Sequence, residues 1–279
     1  MPINFNDYLI PLTAGQAVSK GWTSVTNYKP VGIVWHWTAS SSITSARATI
    51  GGSNAQRKGE ASAHFTVGKS LTDGIDRYVD IANRSWHCGV NQTLRWDGQH
   101  STSSTSATRT MVGIETVNIG YERAGFKAKP GWIKCNAPNG QQEMLVESWT
   151  PQQIQMMISL GKYIVAAYPD IKPEHHVGHH DLCPGYKVDV CGFPFAEVLR
   201  GIYDDPTISD VWTPYWAVSG RQQALADMGY NIGSSGVDGD WGRMCDAALR
   251  KFQKETGLVE NGMWTTFVSR KVWQRLHKS

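Results

Sequence analysis

His179, Lys187 and Asp189 place an imidazole, an ammonium and a carboxylate within eleven residues of one another. Histidine is the commonest metal ligand, and a carboxylate suits zinc as a further one. Pro184 and Gly185 bend the chain between His179 and Asp189, so one tight loop can bring both to a single centre. A zinc site that does chemistry usually has three protein ligands and a fourth position for water. The third must come from elsewhere, and the best candidate is His36, after the apolar run Val31-Gly32-Ile33-Val34-Trp35. Glu115 stands in another apolar run, Met111 to Val117. A carboxylate there is either paired or held near a metal or substrate, and burial would raise its pKa and suit it to carrying a proton near neutral pH.

The ligand choice is open on residue types alone. His175, His176, His179 and His180 crowd the entry to the loop. If the chain is extended there, His179 and His180 face opposite sides, so only one can meet a metal that His36 also reaches. Cys183 and Cys191 are rival third ligands, because thiolates bind zinc well.

These residues need elements to position them. Residues 31 to 37 read as a buried strand with His36 near its end, and residues 110 to 118 as a second carrying Glu115. Ala61 to Val67 and Ile75 to Ile81 read as further strands. A helix begins among the hydroxyls of Ser40 to Ala46 and is expected to stop at Gly51 to Asn54. Thr150-Pro151-Gln152-Gln153 is a capping box with proline at the first helical position. The helix it opens carries Ile154, Met157, Ile158, Gly161, Ile164, Val165 and Tyr168 on one face and ends at Pro169. Gly120 to Ser148 reads as one long irregular segment, a candidate wall of a cleft.

Trp35-His36-Trp37-Thr38, then Val112-Gly113-Ile114-Glu115, then Gly178-His179 through Lys187 to Asp189 resemble, in that order, the zinc-dependent N-acetylmuramoyl-L-alanine amidases. That family includes phage lysozyme-type amidases and is related to peptidoglycan-recognition proteins. The likeness spans roughly residues 30 to 200 and is most specific in the His179–Lys187–Asp189 spacing. It implies an α/β domain, a central mixed sheet flanked by helices with a zinc cleft. The implied ligands of Zn2+ are His36, His179 and Asp189, with Glu115 as general base and Lys187 stabilising the oxyanion. Ser62-Ala63-His64-Phe65 and Trp86-His87-Cys88-Gly89 also resemble family stretches, which makes His64, Trp86 and His87 candidates for substrate contact, beside a structural or hydrogen-bonding role for the two histidines. His180 stands where relatives often carry arginine or another polar residue and is expected to face outward. The chain departs from the family after the last ligand, reading Asp189-Val190-Cys191-Gly192 where many members have D-P-G.

After a linker over residues 204–212 the pattern changes. Arg221 to Tyr230, Cys245 to Gln253 and Thr265 to Leu276 read as three helices. Their order, with Val237-Asp238-Gly239-Asp240-Trp241-Gly242 between the first two, resembles the three-helix peptidoglycan-binding domain of wall hydrolases. Gly239-Asp240-Trp241 is echoed by Gly262-Met263-Trp264, each ahead of a helix. The expected layout is a zinc amidase domain over 1–203 and a small all-α peptidoglycan-binding domain over 213–279, which tethers the enzyme to its insoluble substrate.

Composition agrees with this layout. The 279 residues suffice for one large or two modest domains. A net charge of +3 does not suggest a nucleic-acid partner, yet suits approach to an anionic cell wall. A mean hydropathy of -0.36 with no long apolar run argues against a membrane span. Five cysteines make no disulfide framework, and free thiols are expected, with a Cys183–Cys191 bridge as the alternative. The first residues lack the basic start and apolar segment of a signal peptide. The expectation is a monomer made in a host cytoplasm that reaches the wall after release, as a phage endolysin does. The alternatives are a non-catalytic recognition protein and a zinc peptidase of the stem peptide.

Overall fold

The computed structural model describes residues 3–10, 18–19, 21–50, 61–89, 92–139 and 143–277. In chain order the strands are β1 (Phe5–Asp7), β2 (Val18–Ser19), β3 (Trp22–Thr23), β4 (Gly32–Trp37), β5 (Phe65–Val67), β6 (Ile75–Arg77), β7 (Arg84–Ser85), β8 (Met111–Thr116), β9 (Ile133–Asn136), β10 (Glu143–Val146) and β11 (His176–Gly178). The helices are α1 (Ile43–Ile50), α2 (Ala107–Thr110), α3 (Pro151–Ala167), α4 (His179–Leu182), α5 (Phe195–Tyr203), α6 (Val218–Asp227), α7 (Arg243–Glu255) and α8 (Thr266–Leu276).

The central sheet has six strands in the order β1-β6-β5-β8-β4-β11. β4 lies parallel to both β8 and β11, and β5 is parallel to β8 but antiparallel to β6. The sheet is therefore mixed, as expected. β4 is buried along its whole length, which is why Gly32 to Trp37 reads as a continuous apolar run rather than an alternating one. Alternation still sorts its two faces. Ile33, Trp35 and Trp37 join Val112 and Ile114 in the main core, under α3 and α5. Val34 and Met111 turn the other way, into a cluster with Cys88, Leu94, Leu182 and Cys183.

α3 opens on the expected capping box. The Thr150 hydroxyl accepts from the Gln153 N–H at 3.1 Å, and the Gln153 side chain accepts from the Thr150 N–H at 3.1 Å. Such a cap is worth about 1 kcal/mol. The buried stripe of α3 is Gln153, Met156, Met157, Leu160, Gly161 and Ile164, so it is rotated slightly from the expected face, and Ile154, Ile158 and Val165 lie at its edge. α3 packs on α5 through reciprocal contacts, Ile202 against Gly161 and Ile158 against Gly201, where a Cβ would meet isoleucine carbons at 2.2 and 2.4 Å.

Several expectations need correction. The strands at 61–67 and 75–81 are shorter, since only Phe65–Val67 and Ile75–Arg77 pair. The segment 120–148 contains an antiparallel hairpin, β9 with β10, rather than wholly irregular chain. α5 is an additional helix, and its Phe195, Val198, Leu199 and Ile202 hold the helical spacing. The expected glycine stop at 51–54 lies outside the described residues.

The C-terminal helices enclose their own core of Leu225, Leu249, Phe252, Trp264, Val268 and Val272. The echo in the sequence has a physical basis here. Gln222 holds the first turn, donating to Asp238 Oδ1 and the Asp240 carbonyl and accepting from the Gly239 N–H. Gln253 holds the second in the same way, donating to Asn261 Oδ1 and the Met263 carbonyl and accepting from the Gly262 N–H. Both glutamines are buried, and each satisfies a turn whose polar backbone would otherwise be stranded. No helix among the described residues is long and apolar enough to cross a membrane.

Candidate metal centre

The sheet register builds the first half of the site. His36 on β4 is paired with Glu115 on β8, so the two side chains stand next to each other on one face. β11 runs parallel on the other side of β4 and delivers the chain directly into α4, whose first residue is His179. The loop after α4 then returns Asp189, and the His180 N–H closes it by donating to the Asp189 carbonyl at 2.5 Å.

Three lone-pair atoms converge there. His36 Nδ1 lies 3.1 Å from His179 Nδ1 and 3.3 Å from Asp189 Oδ2, and His179 Nδ1 lies 3.1 Å from Asp189 Oδ2. A tetrahedral zinc ion with bonds of about 2.0–2.1 Å needs ligand atoms about 3.3 Å apart. The triangle therefore fits such an ion by its size and by its donor chemistry. All three residues are buried.

Hydrogen bonds fix which nitrogen of His36 is bare. His87 Nε2 lies 3.2 Å from the Met111 carbonyl, which can only accept, so His87 carries its proton on Nε2. His87 Nδ1 is then an acceptor, and the proton on the 3.0 Å contact with His36 Nε2 belongs to His36. That leaves the lone pair of His36 on Nδ1, facing His179 and Asp189. Orientation of a ligand histidine through its other nitrogen is a general feature of metal sites. It also argues against the second grouping of possible ligands, His36, His87 and Cys88, because that set needs the His36 nitrogen that holds the proton. Gly113 makes the relay possible, since a Cβ there would meet the His87 ring at 2.2 Å.

The electrostatics follow from burial and proximity. Burial, reinforced by His179, lowers the pKa of His36 to about 4, so it is neutral and able to bind a cation. Burial also acts to lower His179, but the Asp189 carboxylate and its hydrogen bond overcome it and raise that group well above the usual histidine range. Asp189 is correspondingly held well below the usual carboxylate range, burial being outweighed by His179 and His36. A proton between His179 and Asp189 thus balances the pair in the way a cation would. Burial raises Glu115 to about 8, with Asp189 adding to the rise and His179 and Lys187 opposing it. Glu115 Oε2 is buried with no hydrogen-bond partner, as is His179 Nε2. Unpartnered polar atoms are costly in a protein interior, and Glu115 Oε2, on the residue paired with His36, marks where a ligand or water belongs.

The other expected site residues fare differently. Lys187 is partly buried, with Nζ 5.7 Å from the Tyr186 ring centroid and its charge felt at both His36 and Glu115. Trp86 is half-buried and donates from Nε1 to Thr23 Oγ1 at 3.0 Å. His87 is buried behind His36. His64 is a correction to the expectation of substrate contact, for it is 0% exposed and fully bonded. Its Nε2 donates to the Asn83 carbonyl at 3.1 Å, and its Nδ1 accepts from the Gly113 N–H at 3.0 Å and the Ser85 hydroxyl at 2.8 Å. His180 is a second correction. It is 3% exposed rather than outward-facing, because Trp216 of the C-terminal segment covers it. None of the five cysteines forms a disulfide, and neither Cys183 nor Cys191 belongs to a ligand grouping among the described residues.

Asp181 is the aspartate of the G-H-x-D start of the family pattern, and the sequence alone gives it no role. Its carboxylate is fully buried and accepts from the Gly178 N–H at 2.8 Å, which ties the end of β11 to α4 beside His179.

Comparisons with known proteins bear on this geometry. Residues 26–189 match the model of the N-acetylmuramoyl-L-alanine amidase family, and residues 217–271 match that of a peptidoglycan binding domain. No curated protein matches the chain. Among solved structures, the N-acetylmuramyl-L-alanine amidase AmiD from E. coli is 22% identical, with 95% of this chain and 93% of that one covered and a TM-score of 0.49. AmpDh3 from Pseudomonas aeruginosa is 18% identical over 97% of this chain and 100% of its own, with a TM-score of 0.47. A mutant endolysin from Bacillus subtilis is 17% identical over 72% of this chain and 99% of its own, with a TM-score of 0.42. The family match covers more than half of the chain, which belongs to the N-acetylmuramoyl-L-alanine amidases.

Proposed function

We propose that this amidase hydrolyses, as a zinc enzyme, the amide between the lactyl group of N-acetylmuramic acid and the L-alanine of the stem peptide, with His36, His179 and Asp189 as ligands. The observation that carries the reading is the triangle of three buried lone-pair atoms beside an unpartnered glutamate. Zinc at such a site supplies an acidified water and polarises a carbonyl. The chain's own residues do the rest. Glu115 accepts the proton of the attacking water through its unpartnered Oε2 and returns it to the leaving amine. Its raised pKa suits both halves of that task near neutral pH. Lys187 contributes positive charge where the tetrahedral oxyanion develops. His87 keeps His36 in the tautomer that presents Nδ1.

The peptidoglycan-binding domain suits an enzyme working on an intact polymer rather than on small fragments, since tethering raises the local concentration of bonds. The proposal therefore extends to a lytic role as a phage endolysin, made in the host cytoplasm and acting on the wall after release.

The test is end-group analysis of purified walls digested by the zinc-loaded protein, with a chelator control. New N-terminal L-alanine that vanishes with chelator and returns with zinc is the expected result. Stem peptides that shorten without new L-alanine would move the reading to a peptidase.

A further inference from the structure

The loop that carries His179 and Asp189 is held from outside its own domain. Thr266, the first residue of α8, donates its backbone N–H to Asp181 Oδ1 at 2.7 Å in a buried contact. The other oxygen of Asp181 holds the Gly178 N–H, so one carboxylate links α8 to the chain on either side of His179. Four residues further along α8, Arg270 donates from Nη1 to the Glu174 carbonyl at 2.7 Å and from Nη2 to the His176 carbonyl at 3.1 Å. Those carbonyls belong to the stretch that feeds His179. Phe267, between the two, is 6% exposed and packs with Val34, Cys88, Met111, Leu182 and Cys183 on the site's face of the sheet.

The Asp189 side is braced as well. Arg221 of α6 is 2% exposed, and its guanidinium donates to the carbonyls of Asn136 at 2.7 Å, Ala137 at 2.8 Å and Tyr215 at 2.8 Å. Asn136 in turn donates its N–H to the Trp216 carbonyl and accepts from the Val218 N–H. The Asn136 carbonyl also faces Cys191 Sγ, two residues beyond Asp189, at 3.9 Å. A guanidinium is buried only when its donors are met, and a buried acceptor left unpaired costs far more than the bond itself gains.

We propose that the C-terminal domain is a positioning part of the metal centre: Thr266 acting through Asp181, and Arg270 acting through the His176 carbonyl, hold His179 where its Nδ1 meets His36 and Asp189. This rests on reading those three residues as the ligands. The domain then serves catalysis on any substrate, soluble or insoluble, in addition to holding the wall.

The backbone bond can be removed on its own. Thr266 is the first helical residue, where proline is tolerated, and Thr265 before it is extended at φ -93° and ψ 171°, a conformation proline accepts in its predecessor. Thr266→Pro deletes the N–H, and Thr266→Ala is its reference, because both lose the hydroxyl that accepts from Trp212 while only alanine keeps the N–H. Three quantities are measured on the full chain: zinc affinity by competition with a chromophoric chelator, kcat and KM on a soluble muropeptide, and retention on purified walls. Relative to Thr266→Ala, the proline variant is expected to hold zinc ~10-fold more weakly and to lose ~10-fold in kcat with KM and wall retention unchanged. Arg270→Gln should move zinc affinity and kcat the same way by roughly threefold, and it carries the test if the proline variant does not fold. Zinc affinity and kcat equal to the reference in a folded variant, or a loss confined to whole walls, would overturn the inference and leave the domain a tether. A wild-type protein that binds zinc but frees no L-alanine would sink the proposed reaction alone, and the zinc-affinity comparison would still decide the positioning role.

Discussion

His64 and His176 commit both ring nitrogens to hydrogen bonds, whereas His36 and His179 leave an Nδ1 facing a shared centre. His176 accepts from Trp35 Nε1 at 3.3 Å and donates to the Tyr203 hydroxyl at 2.9 Å, which passes its own proton to the Ile171 carbonyl. His64 is bonded on every side. All four rings are buried within one domain, so burial does not separate them. The separation lies in where the lone pairs end. A histidine with two protein partners is a polar piece of the core. A pair of histidines whose Nδ1 atoms meet a carboxylate at ligand spacing has the donor chemistry and size that suit a cation.

The widest gap between the two groups should appear in paired alanine variants. His179→Ala is expected to drop turnover to background while the chain still folds, because only a ligand is gone. His176→Ala is expected to do the reverse. It strands the Trp35 donor, takes from the Tyr203 hydroxyl the proton it accepts and opens a cavity, at a cost of about 2–4 kcal/mol, while turnover per folded molecule persists. Urea midpoints and specific activities on a soluble muropeptide read both, and equal loss of turnover in the two variants would erase the distinction.

Glu115 sharpens the same contrast among carbonyl-bearing side chains. Gln153 is also buried but has its donor on the Val117 carbonyl and its acceptor in the capping box, whereas Glu115 Oε2 has no partner. Glu115→Gln keeps shape and removes the ionisable group. Turnover should fall about 10²- to 10⁴-fold with zinc still bound at full stoichiometry. Turnover within a few-fold of the wild type would mean that another group takes the proton.

Much of the fold and the convergence at the candidate metal centre is legible in the sequence, for reasons that are local. A strand ending in His36, a strand carrying Glu115 and a tight loop between His179 and Asp189 are patterns of period and turn chemistry, which act over a few residues. The Thr150 capping box is equally local, and it forms as its residues dictate. What stays hidden depends on elements far apart in the chain. His180 lies outside the His36–His179–Asp189 grouping, and its ring meets solvent only if nothing covers it; Trp216 does. Arg221 looks like any helical arginine until Asn136, 85 residues away, places its carbonyl beneath it. Asp181 belongs to the family pattern but has no visible role until the start of α8 arrives from the same distance in sequence. α5 is a different case, since its apolar stripe is itself local and period alone suffices to find it.

The smallest effect tests the satisfied histidines by acid. Burial lowers His64 to about 4 in the folded chain, against an ordinary value near 6.5. The sign follows from which state binds the proton. Below pH 6.5 the unfolded chain takes up a proton at His64 and the folded chain does not, so stability falls as pH falls and the loss is complete near pH 4. A depression of this size corresponds to about 3 kcal/mol. His36, His87 and His176 are depressed as well, so the wild-type slope is a sum, and only a difference isolates one ring. His64→Gln supplies it, because glutamine offers one donor and one acceptor and does not titrate. Urea unfolding in chelator at pH 7.5 and pH 4 should show the wild type losing about 3 kcal/mol more than the variant. Equal losses would mean that the folded protein already accommodates a charged His64, and the line drawn between bonded and convergent histidines would have to be drawn elsewhere.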